Sequence, residues 1–340
     1  MSRPFTIRDF RGLDNRHAPE VLAEFDQRTR EAGTYLLEAT NVDFLRTGGA
    51  RTRKGWSLAQ AGEHHSLWQA PFSGDTFVVR GSTLGTLSED LVFSTLAEVS
   101  QRRLTYADAE GLIFISDGQS AWSYDGAMKT LERFGDYEIQ ERTALNAGEG
   151  QFDAPPPAEL YAWVFGRLWA ATPEAVYYSQ SFRPERFNLE KDFLPIENAT
   201  LLAGVADGIY IGNRTEVFFL AGGNPAGPQR TQKVSRHGAF PGAFGLFKGS
   251  FFVDELPGDV VAWVSAEGKM LGRSGGTVTA LTEQRFSFPK DAQAGALFMR
   301  EDSGEAHLIS SLLGAKQEGS NFRASDTADA QIIRNGVVIT

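Results

Sequence analysis

Five acidic residues stand where short strands would turn: Asp108, Asp117, Glu174, Asp207 and Asp254. Two such carboxylates flanking a glycosidic bond suffice to hydrolyse it, one as acid and the other as base or nucleophile. The same residues have a plainer use, because an aspartate at a turn accepts hydrogen bonds from the backbone just beyond it and tolerates unusual dihedrals. Trp163, Trp169, Tyr177, Tyr178, Phe218, Phe219, Phe251 and Phe252 offer aromatic faces suited to a sugar groove, though at strand positions core packing is the default. The histidines are His17, His64, His65, His237 and His307. Adjacent His64 and His65 would point to opposite faces of a strand, which does not suit a single metal ion. "LRTGGARTRKG" lacks the order of a phosphate loop, "AGGNPAG" precedes no convincing helix, and there is no G-x-S-x-G elbow. The residues therefore predict no enzyme, no metal and no cofactor.

The remaining chemistry is electrostatic. Arg46, Arg51, Arg53 and Lys54 surround the Gly48-Gly49 pair near the start of an otherwise acidic chain. Two readings fit. A hairpin with a solvated charged face needs no partner. An exposed electropositive arm would instead dock onto acidic surface of another copy or another protein.

The elements that must position these residues are strands. Among 340 residues are 36 glycines and 14 prolines, and few stretches hold a helical period for more than three turns. The best helix candidate is "APEVLAEFDQRTREAG", residues 18–33, where Pro19 suits a first turn and Gly33 a stop. From Leu67 onward, short β-branched and aromatic runs alternate with turn signals. Five of these segments look alike: "DTFVVRGSTLGTLSED" from Asp75, "GLIFISDGQSAWSYDG" from Gly111, "GRLWAATPEAVYYSQS" from Gly166, "DGIYIGNRTEVFFLAG" from Asp207 and "GSFFVDELPGDVVAWVSAEGKML" from Gly249. "GEAHLISSLLG", from Gly304, is a weaker sixth. Each reads as strand, tight polar connection, strand. The spacing predicts an all-β, propeller-like fold of about five to six irregular blades, with an N-terminal arm holding a short helix and a hairpin. The expected organisation is an arm over residues 1–60, a body over 61–320, and a C-terminal strand or hairpin over 321–340. There Asn335-Gly336 marks a turn whose strands either close a blade or pair with a neighbour.

Composition narrows the classes further. Hydrophobic residues make up 41% of the chain, ample for a core, and no apolar run has the length of a membrane-spanning helix. "MSRPFTIRDFRG" has no apolar stretch of the secretory kind, which predicts folding in a cytosol. With no cysteine, disulfides are excluded. The net charge of −10 argues against gripping nucleic acid over a broad surface and is compatible with DNA passing nearby without sticking.

"GLDNR" at 12–16, followed by Ala39, Asn41-Val42-Asp43, Gly49, Arg51, Arg53 and Gly55-Trp56, resembles an N-terminal signature shared by many phage tail proteins. Later segments are similar to that family in the same order: "VYYSQSFRPERFN" at 176–188, "TEVFFLAGGNP" at 215–225, "KVSRHGAFPGAFG" at 233–245 and "VAWVSAEGKMLG" at 261–272. The family includes the tail nozzle, or packaged-DNA stabilisation, proteins of short-tailed phages. The resemblance implies a structural virion protein assembled in the host cytoplasm as a sixfold homo-oligomeric ring below portal and adaptor proteins. Genomic DNA would pass through its channel without sequence-specific binding, and no catalytic residue carries over. On this reading Arg46, Arg51, Arg53 and Lys54 face an adjacent subunit or the adaptor. A glycan-binding tail propeller and a propeller glycosidase are the alternatives.

Overall fold

The computed structural model describes residues 10–14, 16, 34–36, 42–44, 50–52, 60–134, 152–222, 225, 231–253, 256–282, 286–302, 305–313, 332–334 and 337–339. The chain forms two compact units, Ser57–Gly204 and a discontinuous one made of Met1–Trp56 with Val205–Thr340. The fold is all-β and propeller-like, its recurring element being an antiparallel sheet that runs up and down in sequence order.

Three such sheets build the Ser57–Gly204 unit. The first contains His64–Gln69, Thr76–Arg80, Thr83–Leu87 and Phe93–Glu98. The second contains Thr105–Ala109, Leu112–Ser116, Ala121–Asp125 and Thr130–Arg133. The third contains Leu160–Val164, Arg167–Ala171, Val176–Gln180 and Arg183–Phe187, with Phe193–Leu194 also paired to Val176–Gln180.

The sheets pack face to face, and the alternation of side chains along a strand decides what each residue touches. In Leu112–Ser116, Ile113 and Ile115 join Phe77, Val79, Leu84 and Trp122 of one cluster, while Phe114 between them joins Tyr161, Leu168 and Phe187 of the next. A strand covered on both faces has no place for polar alternation. That is why its sequence reads "LIFIS".

Leu201–Val205 carries the boundary between the units. In the second unit Gly208–Gly212, Val217–Ala221 and Gln232–Ser235 pair in turn, then Phe244–Lys248, Asp259–Ser265, Gly268–Gly272 and Val278–Ala280. Gly208 lies so close to its neighbour that an added Cβ would meet the Phe219 ring at 2.2 Å and the Leu220 carbonyl at 2.7 Å, so no larger residue fits.

The fifth repeat departs from the sequence reading. Gly249–Phe251, expected to begin a strand, forms a 3-10 turn, and the strand pair is Asp259–Ser265 with Gly268–Gly272. The reason is the preceding ladder: Lys248 is already registered against Asp259, and the Gly249 amide donates to the Gly258 carbonyl at 2.8 Å. The residues between are thereby committed to a hairpin connection. Phe252 turns inward into the core with Val260, Ala262 and Leu271.

A six-stranded sheet gathers both ends of the chain in the order Thr34–Leu36, Phe10–Leu13, Ile332–Arg334, Val337–Ile339, Glu305–Leu313, Ala294–Asp302. Ile332–Arg334 and Val337–Ile339 are antiparallel across the Asn335-Gly336 position, and Gly12 is opposite Ile332. A separate hairpin, Val42–Phe44 with Ala50–Thr52, spans the Gly48-Gly49 pair. The helix expected over 18–33 lies outside the described residues. No helix among the described residues is long and apolar enough to cross a membrane.

Phe114→Ala should cost about 3–5 kcal/mol of stability, because a fully buried ring between two sheets leaves a cavity. Met128→Ala, at an exposed turn, should stay within about 0.5 kcal/mol of wild type. Urea denaturation of the two variants checks both values.

Candidate docking site at the N-terminal hairpin

The turn carboxylates are occupied as turn residues. Asp108 accepts from the amides of Gly111 at 2.8 Å and Phe72 at 2.9 Å. Asp117 takes the amides of Ser120 at 2.7 Å and Gln119 at 2.9 Å on one oxygen and that of Ser100 at 3.0 Å on the other. Burial raises its pKa, but those amide bonds favour the charged form and more than cancel the effect, so the carboxyl titrates below its usual range. Glu174 accepts from the Thr172 hydroxyl and Asp207 from the Gly275 amide. Asp254 lies outside the described residues.

The histidines and aromatics are similarly engaged. Arg80 donates to His64 Nε2 at 3.2 Å, and His65 Nδ1 lies 2.8 Å from the Ser66 hydroxyl. His17 is outside the described residues. Among the described residues no group of three or more His, Cys, Asp or Glu is placed to hold a metal ion. Trp169, Tyr178, Phe219 and Phe252 are buried, and Trp163, Tyr177, Phe218 and Phe251 are half-buried.

The hairpin is the site with unusual electrostatics. Arg51, half-buried, is registered directly opposite Asp43, whose carboxylate is 1% exposed as a residue. The Arg300 guanidinium donates to Asp43 Oδ2 at 2.8 Å, which ties the hairpin to the strand Ala294–Asp302. Arg46, Arg53 and Lys54 lie outside the described residues.

The "GLDNR" element is anchored alongside. Leu13 sits in the unit's core with Leu36 and Val42 packed against it. The Asp14 amide donates to the Leu36 carbonyl at 3.0 Å, and its buried carboxylate accepts the Arg16 amide at 3.1 Å. The Arg16 guanidinium then pairs with Glu267 at 2.6 Å. That hydrogen bond is the leading cause that holds the Glu267 carboxyl below its usual range. Further inside, Lys269 is fully buried and its Nζ donates to the Leu308 carbonyl at 2.9 Å.

The sequence left the basic cluster open between a solvated hairpin face and an exposed docking arm, and it did not mark Asp14, Asp43 and Lys269 as buried charges. A visible signal was Lys269, a lone charge in "GKMLG" between apolar residues. It also passed over Phe72, Phe165 and Phe182, which are exposed, while naming aromatics that are packed.

No family model matches this chain, and no curated protein does. Several solved structures are similar to it at low identity. A structure of BBS1N in complex with ARL6DN is 9% identical, with a TM-score of 0.47 over 76% of this chain and 80% of that one. AztD of Citrobacter koseri is 9% identical, with a TM-score of 0.45 over 85% and 73%. A streptogramin B lyase is 11% identical, with a TM-score of 0.41 over 68% and 72%. Similarity at this level assigns no activity.

Two predictions separate the anchors. Asp43→Ala leaves the Arg300 guanidinium without its carboxylate in a buried setting and should cost about 3–5 kcal/mol, read by chemical denaturation. Arg16→Ala removes a partly exposed pair and should cost about 1 kcal/mol or less near neutral pH. Because the folded Glu267 pKa is depressed, the pair stabilises above the ordinary carboxylate pKa of about 4.3 and loses its effect as pH falls through the folded value. Melting curves of wild type and Arg16→Ala should therefore converge in acid.

Proposed function

We propose that this protein is a structural component of a phage tail, a nozzle-like ring of about six copies that extends and seals the DNA-ejection channel below the portal and adaptor. The observation that carries this reading is the N-terminal signature, whose family-like residues coincide with anchoring positions. Leu13 is in the core, Asp14 and Asp43 are buried, and Arg51 is registered against Asp43. A pre-organised, anchored hairpin strand is what a docking element between copies requires. The order of the later family-like segments supports the same reading.

In this role the chain performs no reaction. Its acidity keeps duplex DNA from adhering as it passes, since phosphate is repelled by like charge. Arg46, Arg51, Arg53 and Lys54 are the residues assigned to meet acidic surface on the adjacent subunit or adaptor, Arg51 lying in the strand Ala50–Thr52 opposite Asp43. The protein then resides in the virion after assembly in the host cytoplasm.

Arg53→Glu with Lys54→Glu should abolish incorporation into tail particles while leaving the melting temperature of the purified chain unchanged. Electron microscopy of particles assembled with the variant, beside circular dichroism of the isolated protein, provides the check. Normal tails from the double variant would sink the assignment. A chain that never assembles with tail components but binds a glycan array would replace it with the sugar-reading alternative.

A further inference from the structure

The three sheets of the Ser57–Gly204 unit are aligned. The starts of their first strands meet, because Leu104 donates its amide to Ser66 Oγ at 2.8 Å and Tyr161 donates its amide to Thr105 Oγ1 at 2.7 Å. In an up-and-down sheet the first-to-second and third-to-fourth connections then emerge at the opposite end. That end is held together by Lys129 on Asp75 at 2.6 Å and by the Phe72 amide on Asp108.

Its turns carry six exposed apolar residues: Phe72, Leu91, Val92, Met128, Phe165 and Phe182. Phe72 and Phe182 are 73% and 74% exposed. The second-to-third connections at the other end are polar, Gly81-Ser82, Asp117 to Ser120 and Thr172 to Ala175. Among the described residues six of the unit's eight exposed large apolar side chains thus lie at one end, Leu67 and Phe193 being on strands away from these turns.

Backbone strain gives a second, independent observation. Leu91, Phe165 and Phe182 sit at φ of 61°, 52° and 53°, in the left-handed region where glycine, asparagine or aspartate is favoured. Phe165 precedes Gly166, at φ 68°, in a two-residue hairpin turn that ordinarily takes Asn-Gly. Bulky apolar side chains are retained in water at positions that disfavour them, and such strain marks functional surface.

The charges beside these residues are of both signs. Glu89 and Asp90 adjoin Leu91 and Val92 on the first sheet, whereas Arg183, 62% exposed and 3.9 Å from Glu185, adjoins Phe182 on the third. We propose that this end of the unit pairs with the same end of a second copy about a two-fold axis, so that the Glu89-Asp90 turn of each faces Arg183 of the other and the apolar turns are buried between them. The six side chains expose on the order of 700 Å² together, close to the roughly 800 Å² per partner of a standard interface. An anionic membrane fits less well, since Glu89, Asp90 and Glu110 outnumber Arg183 once Lys129 is engaged by Asp75. The surface belongs to the Ser57–Gly204 unit and the N-terminal hairpin to the other, and the inference does not depend on the tail reading.

Sedimentation velocity of the purified full chain over a concentration series tests the contact. Wild type should self-associate, and Phe72→Ser with Phe182→Ser should raise the dissociation constant by about tenfold or more. Glu89→Lys with Asp90→Lys should weaken association, as should Arg183→Glu, and mixing those two proteins should restore it. Phe165→Asn should weaken association while melting no lower than wild type, which separates lost contact from lost folding. A wild type monomeric throughout, association unchanged in the serine variant, or no rescue on mixing would overturn the proposal. So would co-sedimentation of wild type, but not the serine variant, with phosphatidylcholine vesicles, which would assign the turns to a membrane. Loss of tail incorporation by the Arg53 and Lys54 variants with turn-mediated pairing intact bears on the tail reading alone.

Discussion

The structure depends on strands that are covered on both faces. Leu112–Ser116 sends Ile113 and Ile115 to one neighbouring sheet and Phe114 to the other, so no sheet of the Ser57–Gly204 unit completes its core by itself. This requirement selects continuous apolar runs over alternating ones. It also drives polar chemistry into the turns, where Asp108 and Asp117 spend their carboxylate oxygens on backbone amides.

The discontinuous unit meets the same requirement with a different material. Its six-stranded sheet joins segments from both ends of the chain, and the charges around that junction are buried: Asp14, Asp43 and Lys269. Burying ions costs desolvation energy that pairing recovers only when geometry is good. The 2.8 Å contact of Arg300 with Asp43 and the 2.9 Å contact of Lys269 Nζ with the Leu308 carbonyl supply such geometry. A buried charge with a well-placed partner adds to the penalty for a slipped pairing, because the slip would leave that charge unpaired. The N-terminal signature is thus best understood as an alignment device for the segment that bears it.

Much of the fold was legible because two-faced burial writes itself into sequence. "GLIFISDGQSAWSYDG" and "DGIYIGNRTEVFFLAG" announce paired strands, and the structure places Leu112–Ser116 with Ala121–Asp125 and Gly208–Gly212 with Val217–Ala221 there. "GSFFVDELPG" misled, since its two phenylalanines mimic a strand while the preceding ladder commits the segment to a hairpin connection. The candidate site was less readable. Nothing local distinguishes Asp43 beneath Arg300, 257 residues away, from a solvated turn residue, because burial there is created by tertiary pairing. Likewise Phe165 and Phe182 look like core aromatics until the backbone places them in left-handed turns facing solvent.

The pairing of Phe10–Leu13 with Ile332–Arg334 sets a timetable for synthesis on the ribosome. Ser57–Gly204 has all its sheets as soon as it emerges, whereas in the other unit Phe10–Leu13, beside Thr34–Leu36 on one side, has no Ile332–Arg334 on the other until nearly the whole chain has been translated. Closing so long a loop comes late and carries an entropic cost. In that interval Phe10–Leu13 is an open edge, and nascent chains crowded on one messenger would be prone to exchange this strand with each other before each acquires its own C-terminal hairpin.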